Sequence, residues 1–211
     1  VDATMSDAEL ATFACSYVTA ENMLNRGAVT AGDTVLVTGA SGGVGSALIQ
    51  LANRRGAKCV ALCGVDKADA VKAVGPLAVI DRACADLGSA LRDAIGKDSV
   101  DVVADVVGGA LWPQLISALA RGGRYTCAGA IAGPMVEFDL RTFYLRDLTF
   151  TGATVPPPGV FGDLVGYIER GEIRPLLAAT YALEDFHAAQ QAFIEKRHVG
   201  NIVTEPFRSD P

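Results

Sequence analysis

Histidine is almost absent from this chain: His187 and His198 are the only two in 211 residues. Neither stands in a Ser, Cys or carboxylate setting that marks a general base, so both read as structural or exposed. Concentrated positive charge is missing as well. The 18 Lys and Arg are dispersed among 24 Asp and Glu, leaving a net charge of −6. That balance excludes a nucleic-acid partner, which needs clustered cations against its phosphates. No uninterrupted apolar run reaches membrane-spanning length, since Asp101 and Asp105 break the most hydrophobic stretch. The N-terminus is acidic and polar and lacks the pattern of a signal peptide, so the cytoplasm is the expected compartment. The five cysteines, Cys15, Cys59, Cys63, Cys84 and Cys127, are odd in number and irregular in spacing. They read as free thiols packed as small hydrophobes, with no disulfide framework. Cys59 and Cys63 fall four apart on one expected strand, a spacing that builds no metal site. No internal repeat or low-complexity tract is present.

Half the residues are hydrophobic and a fifth are charged, the composition of a globular chain. The length suits one large domain, or one domain with an appendage. Most of the functional information lies in residues 34–64, TVLVTGASGGVGSALIQLANRRGAKCVALCG. An apolar run feeds a glycine-dense turn, the turn opens an amphipathic stretch, and a second apolar run follows. Strand, tight turn, helix, strand is the order that a dinucleotide requires. Glycines let the backbone approach a pyrophosphate where a side chain would clash. The helix beginning near Gly43 would direct free N–H groups and its positive dipole end at that anion.

Along the chain, Ser6 with Asp7-Ala8-Glu9 reads as the start of a long helix that stops at Gly27. Strands are expected at 35–37, 58–63, 78–80, 100–106, 124–128 and 148–153, with helices at 43–55, 67–74, 87–95 and 110–120 between them. Gly122-Gly123 is read as the end of the last of these helices. The alternation predicts an α/β fold of Rossmann type: a doubly wound parallel six-stranded sheet with helices on both faces. After Pro156-Pro157-Pro158-Gly159 the rhythm changes to a helix at 160–170, an extended stretch at 176–181, a helix at 184–197 and a strand at 201–204.

Gly39-x-x-x-Gly43-x-Gly45 also fits short-chain dehydrogenases, but those need a Tyr-x-x-x-Lys pair. None of Tyr17, Tyr125, Tyr144, Tyr167 and Tyr181 has lysine four residues later. The chain instead resembles the medium-chain dehydrogenase/reductase superfamily, in its zinc-type alcohol dehydrogenase and quinone reductase-like branches, along almost its whole length. CSYVTAENML resembles the helix that hinges the two domains of those enzymes, and VLVTGASGGVGSALIQLA resembles their nucleotide turn. VDVVADVVGG, GGRYTCAGAIAG and DLTFTGAT resemble their fourth, fifth and sixth strands. The stretch from GYIERGEIRP to HVGNIV resembles their C-terminal end.

The resemblance implies a hinge helix region at 1–30, a dinucleotide-binding domain at 31–175 and a return segment at 176–211. That segment would pack on an N-terminal catalytic domain lying outside this sequence. The chain begins at Val1, which suggests a fragment or a processed protein, although Met5 could be a native start. The catalytic residues of the whole enzyme are therefore unknown.

The cofactor contacts expected from the turn are Gly39, Ala40, Ser41, Gly42, Gly43, Val44 and Gly45, with the N–H groups of Gly43 and Val44 on the pyrophosphate. At the end of the second strand, Cys63 and Gly64 stand where NAD enzymes place Asp or Glu for the ribose hydroxyls. Lys67 resembles the lysine that NADPH-preferring relatives use on the 2′-phosphate. NADP(H) is the preferred reading, with NAD(H) the alternative, since a small backbone shift could bring Asp66 to the ribose. Val106, Val107 and Gly108 end the fourth strand; Gly129, Ala130 and Ile131 end the fifth, where relatives hold the carboxamide through backbone groups. Thr19 is expected near the nicotinamide ribose. Cys15 resembles in position a zinc-ligand cysteine of alcohol dehydrogenases, but no His or Cys partner stands nearby. It reads as a buried helix cysteine, no metal ligand is assigned, and zinc dependence is left open.

The function these features imply is the cofactor-holding portion of an oxidoreductase. Hydride would pass between NADP(H) and a carbonyl, quinone or activated alkene. The alternative is a non-catalytic module that senses the dinucleotide. The expected partners are the dinucleotide, a small-molecule substrate and a second copy of the chain. The two copies would pair through the sixth strand.

Overall fold

The structure is a computed structural model and describes residue 1 and residues 4–206. Residues 2–3 of the expected hinge region and 207–211 of the expected return segment lie outside the described residues.

Ser6 starts the chain's first helix through a reciprocal capping box with Glu9. The expected single helix is broken into α1 (Asp7–Ala11), a π-helical turn (Phe13–Tyr17) and α2 (Val18–Arg26). The wider turn accommodates an extra residue. Phe13 and Tyr17 face inward with ring centroids 4.5 Å apart, while Cys15 is turned outward.

The main sheet comprises β1 (Thr34–Val37), β2 (Lys58–Cys63), β3 (Ala78–Asp81), β4 (Val100–Asp105), β5 (Leu119–Cys127) and β6 (Thr149–Gly152). They run in the order β3-β2-β1-β4-β5-β6, all parallel, as the doubly wound expectation requires. Every residue of β1 is buried, because helices cover both faces and leave no polar side to alternate with. Val35 and Val37 face one layer, with α2, α3 (Gly43–Arg54) and α8 (Val160–Glu169). Leu36 faces the other, with α5 (Leu87–Ile95) and α6 (Trp112–Ser117). The short α4 (Ala68–Lys72) follows β2.

Two expectations fail between β4 and β6. The helix expected at 110–120 is only Trp112–Ser117, and Gly122-Gly123 lies inside β5 instead of closing that helix. Leu119 pairs with Val100, the register then shifts, and Gly122 takes φ 72°; the glycines mark a bulge in a strand. The helix α7 (Leu140–Leu145) was not foreseen; Asp139 starts it by accepting from the Arg141 N–H.

Beyond α8, β7 (Leu177–Ala182) and β8 (Asn201–Glu205) form a separate parallel pair, with α9 (Phe186–Glu195) connecting them. Gly200 bridges to Gly42, and its N–H donates to the Ser41 carbonyl at 2.9 Å. The chain's last strand is thereby fastened to the glycine turn.

Candidate functional site

The turn after β1 lies where the sheet changes direction, between β1 and β4. In doubly wound sheets the crevice at this edge receives the ligand. A cleft of about 760 Å³ occupies it here. Of the residues expected at the site, Gly39, Ser41, Gly42, Gly43, Val44, Gly45, Cys63, Gly64, Lys67, Val106, Val107, Gly129 and Ile131 line it.

The glycine turn brings bare backbone to the cleft. Gly39 adopts φ 57°, and a Cβ there would meet Val106 at 3.0 Å. A Cβ on Gly45 would lie 2.2 Å from the Gly39 carbonyl oxygen, so helix and turn touch through bare backbone. The N-cap of α3 is Gly42, with no side-chain cap. The first helical bond runs from the Ser46 N–H to the Gly42 carbonyl. The N–H groups of Gly43 and Val44 therefore lack intrahelical partners, and both residues line the cleft.

At the end of β2 the Cys63 thiol is pushed up by burial and then by the charges of Asp66 and Asp81. Asp66 comes closer than the sequence alone suggested: its Oδ1 lies 2.5 Å from where a Cβ on Gly64 would be. Lys67, in the next turn, donates from its ammonium to the Lys196 carbonyl.

Asp105 closes β4 beneath the cleft and is fully buried. It accepts from Thr38 Oγ1 and Tyr125 Oη, each at 2.5 Å, and from the N–H groups of Val107 and Gly108 at 2.8 and 3.1 Å. The Val106 N–H in turn donates to Thr38 Oγ1 at 3.0 Å. Burial, followed by the bond to Asp105, pushes the Tyr125 phenol up. This network holds the ends of β1, β4 and β5 in one plane below the turn. Its single signal in the sequence was a carboxylate inside an apolar run.

Four expected contacts fall off the cleft wall. Ala40 is buried under the turn, where its N–H reaches the Leu62 carbonyl at 3.3 Å. Gly108 is buried against the Gly133 carbonyl, and Ala130 is exposed beside it. Thr19 is half-buried on α2, one turn beyond Thr12, Cys15 and Ser16, which do reach the wall. Cys15 is exposed there, so the buried-cysteine expectation fails; the π-helical turn rotates it outward. His198 also lines the cleft, with Phe193, Lys196 and Asn201. Nothing local in the sequence marked these four, since the fold of the last segment brings them in. Among the described residues no three His, Cys, Asp or Glu side chains are grouped to hold a metal.

The fold is that of an α/β domain of Rossmann type. Residues 43–170, more than half of the chain, match the family described as zinc-binding dehydrogenase. The chain belongs to that family, the cofactor-binding domain of the medium-chain dehydrogenase/reductase superfamily. Its described residues do not by themselves gather a zinc centre. An acryloyl-coenzyme A reductase of Metallosphaera sedula is 31% identical over 182 residues, 85% of this chain and 53% of that protein. The chain thus spans about half the length of the curated relatives it first matches. A provisionally assigned alcohol dehydrogenase from Sinorhizobium meliloti 1021 superimposes with TM-score 0.94 at 49% identity, covering 97% of this chain and 57% of that one. Two further solved structures reach TM-score 0.89. One, an NAD-dependent alcohol dehydrogenase, is 28% identical and is matched over 96% of this chain and 60% of its own. The other, the 2-octenoyl-CoA carboxylase reductase CinF in complex with NADP and 2-octenoyl-CoA, is 25% identical and is matched over 98% and 52%. These relatives carry the names of reductases and dehydrogenases.

Proposed function

We propose that this chain holds the nicotinamide dinucleotide of an oxidoreductase that transfers hydride to or from a carbonyl, quinone or activated alkene. The observation that carries the reading is the uncapped N-terminus of α3, opening into the cleft at the switch point of the sheet. When bound, the dinucleotide supplies the hydride donor or acceptor. The protein's part is to grip the pyrophosphate with Gly43 and Val44 N–H groups, seat the adenosine at Cys63-Gly64, and orient the nicotinamide past Val106 and Gly129. Substrate contacts and proton relay are assigned to residues outside these 211, so the chain is expected to bind dinucleotide without turnover.

NADP(H) is the favoured cofactor, because Lys67 and Lys196 converge on the cleft edge beyond β2. Asp66 near Gly64 pulls the other way, toward NAD(H). The acyl-CoA reductases among the relatives favour an activated alkene as the substrate class. The free edge of β6, the last strand of the sheet, supports pairing with a second copy across a two-fold axis. Calorimetric titration with NADPH and NADH tests the reading. Saturable binding of at least one is the expected outcome, and no binding of either overturns it.

A further inference from the structure

Lys67, Lys196 and His198 meet at the cleft edge from separate parts of the chain, with Arg82 also on its wall. Lys67 comes from the turn after β2, Lys196 from the end of α9, and His198 from the approach to β8. The Lys67 ammonium reaches the Lys196 carbonyl, the Lys196 ammonium lies 3.3 Å from the Phe193 ring centroid, and the His198 ring stacks on Phe193 with centroids 5.7 Å apart. The charged groups that bear most on His198 are Lys67 and Lys196. Of the nearby carboxylates, Glu195 lies 3.8 Å from Arg197, and Asp66 stays by Gly64, acting on Cys63 together with Lys67. His198 Nδ1 is buried with no hydrogen-bond partner. These basic groups line one wall of the cleft, with Asp66 adjoining Lys67 as a counter-charge, and their combined field favours an anion there.

Resting on the NADP(H) reading above, we propose that His198 is the third member of the 2′-phosphate subsite. It takes a proton from solvent when that phosphate settles beside Lys67 and Lys196. NADPH binding, unlike NADH binding, is then coupled to proton uptake. In the free protein, burial and then Lys67 and Lys196 hold the imidazole below its ordinary value, against the opposing pull of the Ala192 carbonyl. A phosphate dianion reverses the local field and favours the imidazolium.

The test uses the chain's scarcity of histidine. Imidazole resonances are followed by NMR against pH, with His187 as the internal reference, in the presence of adenosine 2′,5′-bisphosphate or adenosine 5′-monophosphate. The His198 pKa is expected to rise by about one unit or more with the bisphosphate and to stay put with the monophosphate. Calorimetry of NADPH in buffers of different ionisation enthalpy should show proton uptake that His198→Gln removes, while NADH binding is unaffected. If the bisphosphate shifts the Gly43 and Gly45 amides but leaves His198 unmoved, the proposal fails and the dinucleotide reading stands. If neither nucleotide perturbs those amides, both fall.

Discussion

Ser16 Oγ donates to Asn201 Oδ1 at 2.7 Å, joining the π-helical turn to β8 across 185 residues. The pair lies over Gly43, where a Cβ would come within 2.5 Å of Ser16 Oγ and 2.2 Å of Asn201 Oδ1. The start of α3 is therefore flanked at Gly43 by two segments that are remote in sequence.

Gly43→Ala should break this link or displace the helix start. Forcing a methyl into a filled site costs about 1–3 kcal/mol, roughly tenfold in dinucleotide affinity if it falls on the bound state. Titration with NADPH and a melting curve read the two effects. An unchanged dissociation constant with an unchanged melting point would mean that the side chains simply swing aside.

Asp105 is a stability determinant beneath the site. Asp105→Ala strands the buried donors Thr38 and Tyr125 along with two backbone N–H groups. A loss of about 3 kcal/mol in denaturant unfolding is expected. Tyr125→Phe removes one charge-assisted bond and should cost about 1.5–3 kcal/mol. A neutral Asp105→Ala would refute this account of how the ends of β1, β4 and β5 are aligned.

Lys67→Ala should weaken NADPH binding about tenfold or more while leaving NADH binding nearly unchanged, the value of a charge-assisted phosphate contact. Equal losses for the two dinucleotides, or none, would remove Lys67 from the 2′-phosphate subsite.

Glu172 accepts from Arg170 Nε at 2.6 Å and from Arg54, and these bonds hold its carboxyl at about 2, down from 4.5. A depressed carboxyl stabilises the folded state above its unfolded value and loses that contribution on protonation. Stability should therefore fall as pH drops from about 4.5 through about 2. In Glu172→Gln the melting temperature should decline less over that window than in the parent. Parallel acid limbs for the two proteins would show that the pair adds nothing measurable, as many exposed ion pairs do.

Thr149→Pro places a ring in the edge strand β6 and removes a donor there. Sedimentation should show a homodimer in the parent chain and a monomer in the variant. A parent that stays monomeric at all concentrations, or a dimer undisturbed by proline, would exclude pairing through β6.

The segment β1–turn–α3–β2 was legible in the sequence because its determinants are local. An apolar run, a glycine that must adopt φ 57° at position 39 and an amphipathic helix each act within a few residues. Gly122-Gly123 misled for the complementary reason: a glycine pair ends a helix or bulges a strand equally well, and pairing of Leu119 with Val100 decided for the strand. The six residues of α7 carry too short a pattern to register before their cap is seen.

By itself, then, the sequence determined the order of the six main strands, the glycine turn and the family, since these depend on periodicity and on backbone freedom at single positions. Tertiary structure alone decided what surrounds that turn. Asn201, Lys196 and His198 reach the cleft because β8 pairs with β7 and Gly200 bridges back to Gly42. Cys15 faces the cleft because a π-helical turn rotates it there. Asp105 is buried and satisfied because three strand ends converge on it. Contacts between residues far apart in the chain leave no periodic trace in it, because they are chosen by packing and hydrogen bonding once the elements have met.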